Sequence, residues 1–333
     1  MRAAIYTEYG TPEVLRLAEV AKPIPKANEI LIKIHATPVN FGDLTARNFK
    51  KISPSKFTMP FPLWILMKIF FGISKPRKQI LGNEFAGVVE FAGKSVIRFK
   101  PGDEVFGYCG SNFGANAEYL CMNEDGLIAL KPYNLPHEEA STLPYGSLMA
   151  LNLLRKAKLK RGQKILINGA SGSIGFAAVQ LAKHYFGADV TGVCSTPRID
   201  MVKNAGALEV IDYTRQDFTE NGKLYDVIFD VLGKSSFSRC KSSLNPAGRY
   251  LLVSFKVKQL FQMLFQSRKE SQKIICSLSN EKTKDLILIK ELAERKLVKS
   301  FIDKRFPLEQ IAEAHSYMED GQRKGSVVVT LAA

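Results

Sequence analysis

Ala170, Gly172 and Gly175 are spaced A-x-G-x-x-G, directly after the apolar run 163–168 and before a helical pattern with Ala178, Leu181 and Ala182 on one face. Strand, glycine turn and helix in that order point free backbone amides and a helix N-terminus at an anion. The spacing is a variant of the dinucleotide fingerprint, with alanine in its first place. Ala170, Ser171, Gly172, Ser173, Ile174 and Gly175 are therefore expected to hold a pyrophosphate. Gly172 would let it approach the backbone, and Gly175 would let helix and strand pack closely. About 20 residues on, an acidic side chain would accept the ribose 2′-OH of NAD. Here the chain reads Val193-Cys194-Ser195-Thr196-Pro197-Arg198, with no carboxylate. Ser195 can hydrogen-bond a 2′-phosphate and Arg198 can pair with it, so the expected cofactor is NADPH. The plainer alternative is that Arg198 only opens a solvated helix.

The surrounding elements support that turn. From Gly162 onward strands (163–168, 189–194, 209–211, 225–231, 249–254) alternate with helices, which implies a parallel, doubly wound sheet. Residues 1–36 read instead as short β-runs, and 79–131 return to that pattern around the turn Pro101-Gly102-Asp103. This is the grammar of a barrel-like β domain. Residues 135–155 carry two helical patterns broken at Pro144-Tyr145-Gly146. Amphipathic helices are expected at 283–296 and 307–318, before a last strand at 326–331. The apolar, basic stretch 255–278 receives no place. His35 ends a strand run and reads as structural.

The chain has 333 residues, enough for two domains with full cores, and its 46% apolar and 24% charged content is ordinary for a soluble globular protein. Its N-terminus has no apolar h-region, and its five cysteines form no C-x-x-C pair, so a reducing, cytoplasmic setting is expected. The net charge of +15 suits an acidic partner. No long Lys/Arg tract with interleaved aromatics appears, so a solvated basic surface that helps attract a phosphorylated cofactor is favoured over nucleic-acid binding. The segment 57–74, FTMPFPLWILMKIFFGIS, is the most hydrophobic of the chain and holds its only tryptophan, Trp64. It is too short to cross a membrane. It can be a lid over an apolar cleft, a dimer contact, or a membrane-touching patch flanked by basic residues; the first two are preferred.

Five separated motifs carry a family resemblance. They are Pro-Val-Asn-x-x-Asp at 38–43, Leu-Gly-x-Glu-x-Ala-Gly-Val-Val at 81–89, Pro-Gly-Asp-x-Val at 101–105, the glycine turn, and Gly-Ser-Val-Val-Val at 325–329. Over its whole length the chain resembles the medium-chain dehydrogenase/reductase superfamily, in its zinc-free quinone oxidoreductase (zeta-crystallin-like) branch. The branch signature runs from Gly162 through Gln180 to Lys183 and departs only at Ser173, where glycine is usual. The resemblance implies an α/β fold. A GroES-like β-barrel catalytic domain (1–128) would be followed by a Rossmann NADP-binding domain (129–297) and a return to the barrel (298–333). It also implies that Lys183 and Tyr213 lie near the adenosine phosphate and that Leu232 and Gly233 line the nicotinamide side. Zinc-dependent members use a cysteine and a Gly-His-Glu where this chain has Asn40 and Asn83, neither a good zinc ligand, and the four-cysteine structural lobe is missing. No metal site is expected.

Without a metal, hydride transfer to an already electrophilic quinone or enone is the easier reaction. Asn40 is the first candidate donor to the acceptor's oxygen. Asp43 would orient that loop, and Tyr145 is the second candidate proton donor. The alternative role for Asn40 and Asp43 is only to cap and turn the chain. Met149 replaces a usual threonine beside the nicotinamide. Three functions stay open: a quinone reductase acting on small hydrophobic electrophiles, an enoyl or alkenal reductase, and a cofactor-binding protein with a membrane or RNA partner. A homodimer is expected by analogy, with 250–255 as the sheet edge.

Overall fold

A computed structural model describes residues 1–265 and 271–331. Two sheets dominate it. The first is parallel and six-stranded, in the order Glu209–Asp212, Asp189–Cys194, Lys164–Asn168, Tyr225–Asp230, Leu244–Leu252, Lys273–Cys276. The order reverses at Lys164–Asn168, so the crevice at the carboxyl ends of this strand and its neighbours is where such a sheet takes its ligand. Pleating explains the unbroken apolar run. Ile165 and Ile167 enter the core beneath helices Pro144–Lys156 and Ser173–His184, while Leu166 enters the cluster on the other face with Ile228 and Tyr250. Both faces are covered, so the three central positions of the strand are all apolar.

The second sheet is mixed and seven-stranded. Its order is Ile302–Pro307, Ser326–Thr330, Glu29–Pro38, Glu84–Ala92, Glu104–Tyr108, Ile128–Leu130, with Tyr119–Asn123 also on Glu29–Pro38. Val328, Val329 and Thr330 pair antiparallel with Pro38, Thr37 and Ala36, so the last strand of the chain closes onto one of the first. This is the expected architecture: a β-domain interrupted by a doubly wound α/β domain and completed from the C-terminus.

Several expectations shift. Pro144, Tyr145 and Gly146 do not break a helix: they are the first turn of Pro144–Lys156, with proline at the first position, where its missing N–H leaves no unmet bond. The preceding helix is His137–Ser141. The expected dimer edge is corrected as well. Residues 250–252 belong to Leu244–Leu252, which is flanked on both sides, and Lys273–Cys276 is the outer strand. The stretch 255–278 supplies that strand and the helix Val257–Phe265, and its residues 266–270 lie outside the described ones. Within 57–74 the chain forms the helix Phe61–Phe71, and among the described residues no helix is long and apolar enough to cross a membrane.

Candidate active site

The glycine turn divides its work in a way the motif only partly foretold. Gly169, not Ala170, takes the tight turn, at φ 91°, and Leu232 packs where its side chain would be. Ala170 is fully buried. A Cβ on Gly175 would come within 2.0 Å of the Gly169 carbonyl oxygen, so close packing of helix on turn requires glycine there. A Cβ on Gly172 would meet nothing nearer than 3.7 Å. No internal contact demands glycine at 172; what its bareness keeps open is the space above the helix N-terminus. Gly172 caps Ser173–His184 without a side-chain bond, leaving the first amides available to an anion. A cavity lies there, lined by Ser171, Gly172 and Ser173 on one side and by Leu143, Gly146 and Ser147 on the other. Lys299, Ser300 and Arg323 close it from the returning C-terminal segment. The free amides of the helix start and the side chains of Lys299 and Arg323 make this a place that favours an anion.

Ser195 and Arg198 are brought together at the end of Asp189–Cys194, the guanidinium donating to Ser195 Oγ at 3.4 Å. Nε and Nη2 of Arg198 reach the carbonyl of Arg323 (3.1 and 2.9 Å) and Nη2 that of Gly321, so it also ties the two domains together. One carboxylate stands nearby on the third strand of the sheet. Asp212 accepts from Thr196, and from Thr214 at 2.7 and 3.0 Å, which hold its pKa below the usual range. Tyr213 and Leu232 line a groove at the carboxyl ends of the strands. Gly233 is fixed there by its amide on Asp230 Oδ1 at 3.0 Å. Asp230 is fully buried and also accepts from the Ser235 amide and the Tyr250 hydroxyl, each at 2.9 Å. Lys183 does not join the others. It occupies the last turn of Ser173–His184, at the opposite end from the glycine turn, where its stem packs beside Gly206. A helix of 12 residues is about 18 Å long, which puts it out of reach of the crevice.

Across the cleft the barrel offers a buried polar knot. Asp43 is fully buried and accepts from the amides of Asn40 (2.8 Å) and Gly82 (2.9 Å). Burial pushes its pKa up to about 6 against those stabilising bonds. Asn40 Nδ2 donates to Asn83 Oδ1 at 2.9 Å and to the Glu84 carboxyl. Both amide hydrogens of Asn40 are thereby engaged within the protein, and none is left for an acceptor's oxygen. Glu84 Oε1 accepts from the Tyr145 amide at 2.6 Å, at the start of Pro144–Lys156. Burial raises the Glu84 pKa to about 8, so the group is largely protonated at neutral pH. The Tyr145 hydroxyl has no hydrogen-bond partner among the described residues. Burial first, then Glu84, raise its pKa to about 12, which keeps it a neutral donor. Its ring lies 5.7 Å from that of Tyr108. Met149 is half-buried against the core.

In the sequence Glu84 is only part of a motif; its neighbours Gly82 and Asn83 give no sign that it meets a helix N-terminus 61 residues away. Gln180 was likewise only a signature residue. Buried, it clasps Lys299, donating to its carbonyl at 3.1 Å and accepting from its amide at 2.8 Å, and so locks the segment that leads back to the barrel. Lys299 and Arg323 carried no local signal at all.

Residues 26–132 match the family model of the alcohol dehydrogenase GroES-like domain, and residues 205–329 that of a zinc-binding dehydrogenase. The 2-methylene-furan-3-one reductase of Solanum lycopersicum is 31% identical over 340 residues, covering 99% of this chain and 79% of that one. The quinone oxidoreductase of Homo sapiens is 29% identical over 96% of this chain and 94% of its own. Among solved structures, the quinone oxidoreductase of Coxiella burnetii superposes with a TM-score of 0.83 at 26% identity, over 100% of this chain and 99% of that one. The chain belongs to the medium-chain dehydrogenase/reductase superfamily, and it is an oxidoreductase that uses a nicotinamide dinucleotide. The zinc in the second family's name does not fit this site. Asn40 and Asn83 bond to each other, the carboxyls of Asp43 and Glu84 are taken up by bonds within the same knot, and among the described residues no group of three or more His, Cys, Asp or Glu could hold a metal ion.

Proposed function

We propose that the protein is a zinc-independent, NADPH-dependent reductase that passes hydride to a small hydrophobic quinone or similarly activated carbonyl. The observation that carries this reading is the pairing of Asn40 with Asn83 beside a largely protonated Glu84, two amides bonded to each other where a zinc-dependent relative carries metal ligands. Such a site cannot polarise an unactivated ketone strongly, whereas a quinone takes hydride because its own π-system spreads the charge. NADPH, when bound, supplies the hydride.

The chain's own residues bind, orient and donate. Ser171 to Gly175 offer amides to the pyrophosphate, and Lys299 and Arg323 face it from the other domain. Ser195 and Arg198 receive the 2′-phosphate, and Asp212 does not oppose this, being held by Thr196, Thr214 and Arg215. Tyr213 flanks the adenosine, while Leu232 and Gly233 shape the nicotinamide side. Asp43 and Asn40 position the barrel loop rather than touch the acceptor. Tyr145 donates the hydrogen bond, and the proton, to the acceptor. The five free cysteines suit a reducing compartment such as the cytoplasm.

A second reading, reduction of an α,β-unsaturated carbonyl, is favoured by the unpartnered Tyr145 hydroxyl, because a carbon that has taken up hydride at its neighbour must also be protonated. It also agrees with the name of one relative, an NADPH-dependent alkenal/one oxidoreductase of Arabidopsis thaliana, 28% identical over 99% of this chain. The deciding experiment follows oxidation of NADPH and NADH against a 1,4-quinone and an alkyl enone, with and without chelator. The expected result is NADPH preference unchanged by chelator, and the better acceptor selects between the readings. Activity abolished by chelator would overturn the zinc-free site, and tight NADPH binding without turnover would leave only a cofactor-binding protein.

A further inference from the structure

Two helices distant in sequence meet on one side of the molecule. Phe61–Phe71 packs Trp64, Met67, Phe70 and Phe71 towards the barrel core and leaves Phe61, Ile65, Leu66 and Ile69 exposed. Val257–Phe265 buries no residue fully; Leu260 and Met263 pack on the outer face of the parallel sheet, while Phe261, Leu264 and Phe265 are exposed. Met59, just before the first helix, packs on the same cluster as Leu260 and Met263, and Lys256 Nζ donates to the Ser55 carbonyl at 2.5 Å. The two faces are therefore adjacent. More than half of each of the Leu66, Leu264 and Phe265 side chains is open to solvent (58%, 69% and 78%), an unusual concentration for a free surface.

Charge identifies what covers it. Residues 44–83 contain no Asp or Glu, and carry Lys50, Lys51, Lys56, Lys68, Lys75 and Lys78. Lys256 precedes the second helix and Lys258 lies in its first turn, again without an acid from 254 to 265. We propose that this face docks on an anionic lipid bilayer, its leucines and phenylalanines entering the headgroup boundary and its lysines facing the acidic headgroups. A second copy of the chain would bring two lysine collars together on a protein already at +15. A nucleic acid would leave the branched aliphatic side chains without a partner. Neither helix can span the bilayer, so the protein lies on it.

The test is flotation with vesicles of phosphatidylcholine, and of phosphatidylcholine mixed with phosphatidylserine. One variant carries Leu66→Ser, Ile69→Ser, Leu264→Ser and Phe265→Ser; a second carries Lys50→Glu, Lys51→Glu and Lys258→Glu. Wild-type binding to the anionic vesicles is expected to exceed that to the neutral ones by about tenfold or more and to fall with salt. Both variants should lose it while keeping the circular dichroism spectrum and NADPH affinity. Equal binding to the two vesicle types, or undiminished binding by the variants, would overturn the proposal. So would absence of vesicle binding together with a dimer that the serine variant dissociates in sedimentation velocity, or salt-sensitive binding to an RNA oligonucleotide alone. Because the lysines are exposed, the second variant remains informative if the first fails to fold.

Discussion

Asn40 Nδ2 bonds to Asn83 Oδ1 at 2.9 Å, joining residues 43 positions apart in the sequence. These are the positions where zinc-dependent relatives would place a cysteine and a histidine. Their mutual bond, and the bond from Asn40 to Glu84, turn a ligand set into a closed hydrogen-bond knot. The knot is organised around two carboxyl groups whose pKa values burial has raised.

Those shifts fix the direction of a pH effect. Glu84 titrates near pH 8 in the folded protein against 4.5 ordinarily, so the folded state binds the extra proton between those values. Stability from this group is complete below about pH 4.5 and is lost as pH rises through 8. Asp43, raised to about 6, acts in the same sense lower down. Glu84→Gln is expected to flatten the fall of Tm across this window; thermal melts of both proteins at several pH values check it. An unchanged slope would place the titration elsewhere.

Gly172→Ala and Gly175→Ala should separate binding from folding. The added methyl at 175 must displace the Gly169 carbonyl, 2.0 Å away, at a cost of ~1–3 kcal/mol of stability. The methyl at 172 meets nothing within 3.7 Å and should leave Tm nearly unchanged while weakening NADPH, because it occupies the approach to the helix amides. Thermal melts paired with cofactor fluorescence titrations read both. Equal loss of affinity without a stability difference would refute the division of labour.

Ser195→Asp places a carboxylate where the 2′-phosphate is expected, beside Arg198. The KM for NADPH should rise about tenfold or more, which corresponds to roughly 1.4 kcal/mol, while NADH is used as well as before or better. Steady-state kinetics with both cofactors give the ratio. A parallel change for the two would show that the 2′ position lies elsewhere.

Tyr145→Phe removes the hydroxyl and keeps the backbone bond to Glu84. With an enone acceptor, kcat should fall by about 100-fold, the usual scale of a positioned proton donor, and a quinone should suffer less. The tyrosine's pKa near 12 means that wild-type kcat shows no titration of this group between pH 6 and 9. Full activity of the variant with both acceptors would make solvent the proton source.

The sequence alone determined the two-domain plan and the crevice. Apolar runs such as 164–168, glycine spacing and strand–helix alternation are local signals, and the energies behind them, burial of both sheet faces and freedom of the backbone at a turn, act within a few residues of chain. Even there the resolution was limited: the motif begins at Ala170, but the positive φ belongs to Gly169, the first residue after the strand Lys164–Asn168. Tertiary structure alone decided the rest. Lys183 shares a helix with the glycine turn yet lies at its far end. Asn40 looked like a donor to substrate until folding brought Asn83 and Glu84 to its amide hydrogens. Leu244–Leu252 read as an edge until Lys273–Cys276 paired with it. Lys299 and Arg323 reach the cavity at the start of Ser173–His184 because the last strand of the chain pairs with Glu29–Pro38. Hydrogen bonds and charges satisfy whichever partner the fold supplies, and a partner far away in sequence leaves no trace in the residues beside it.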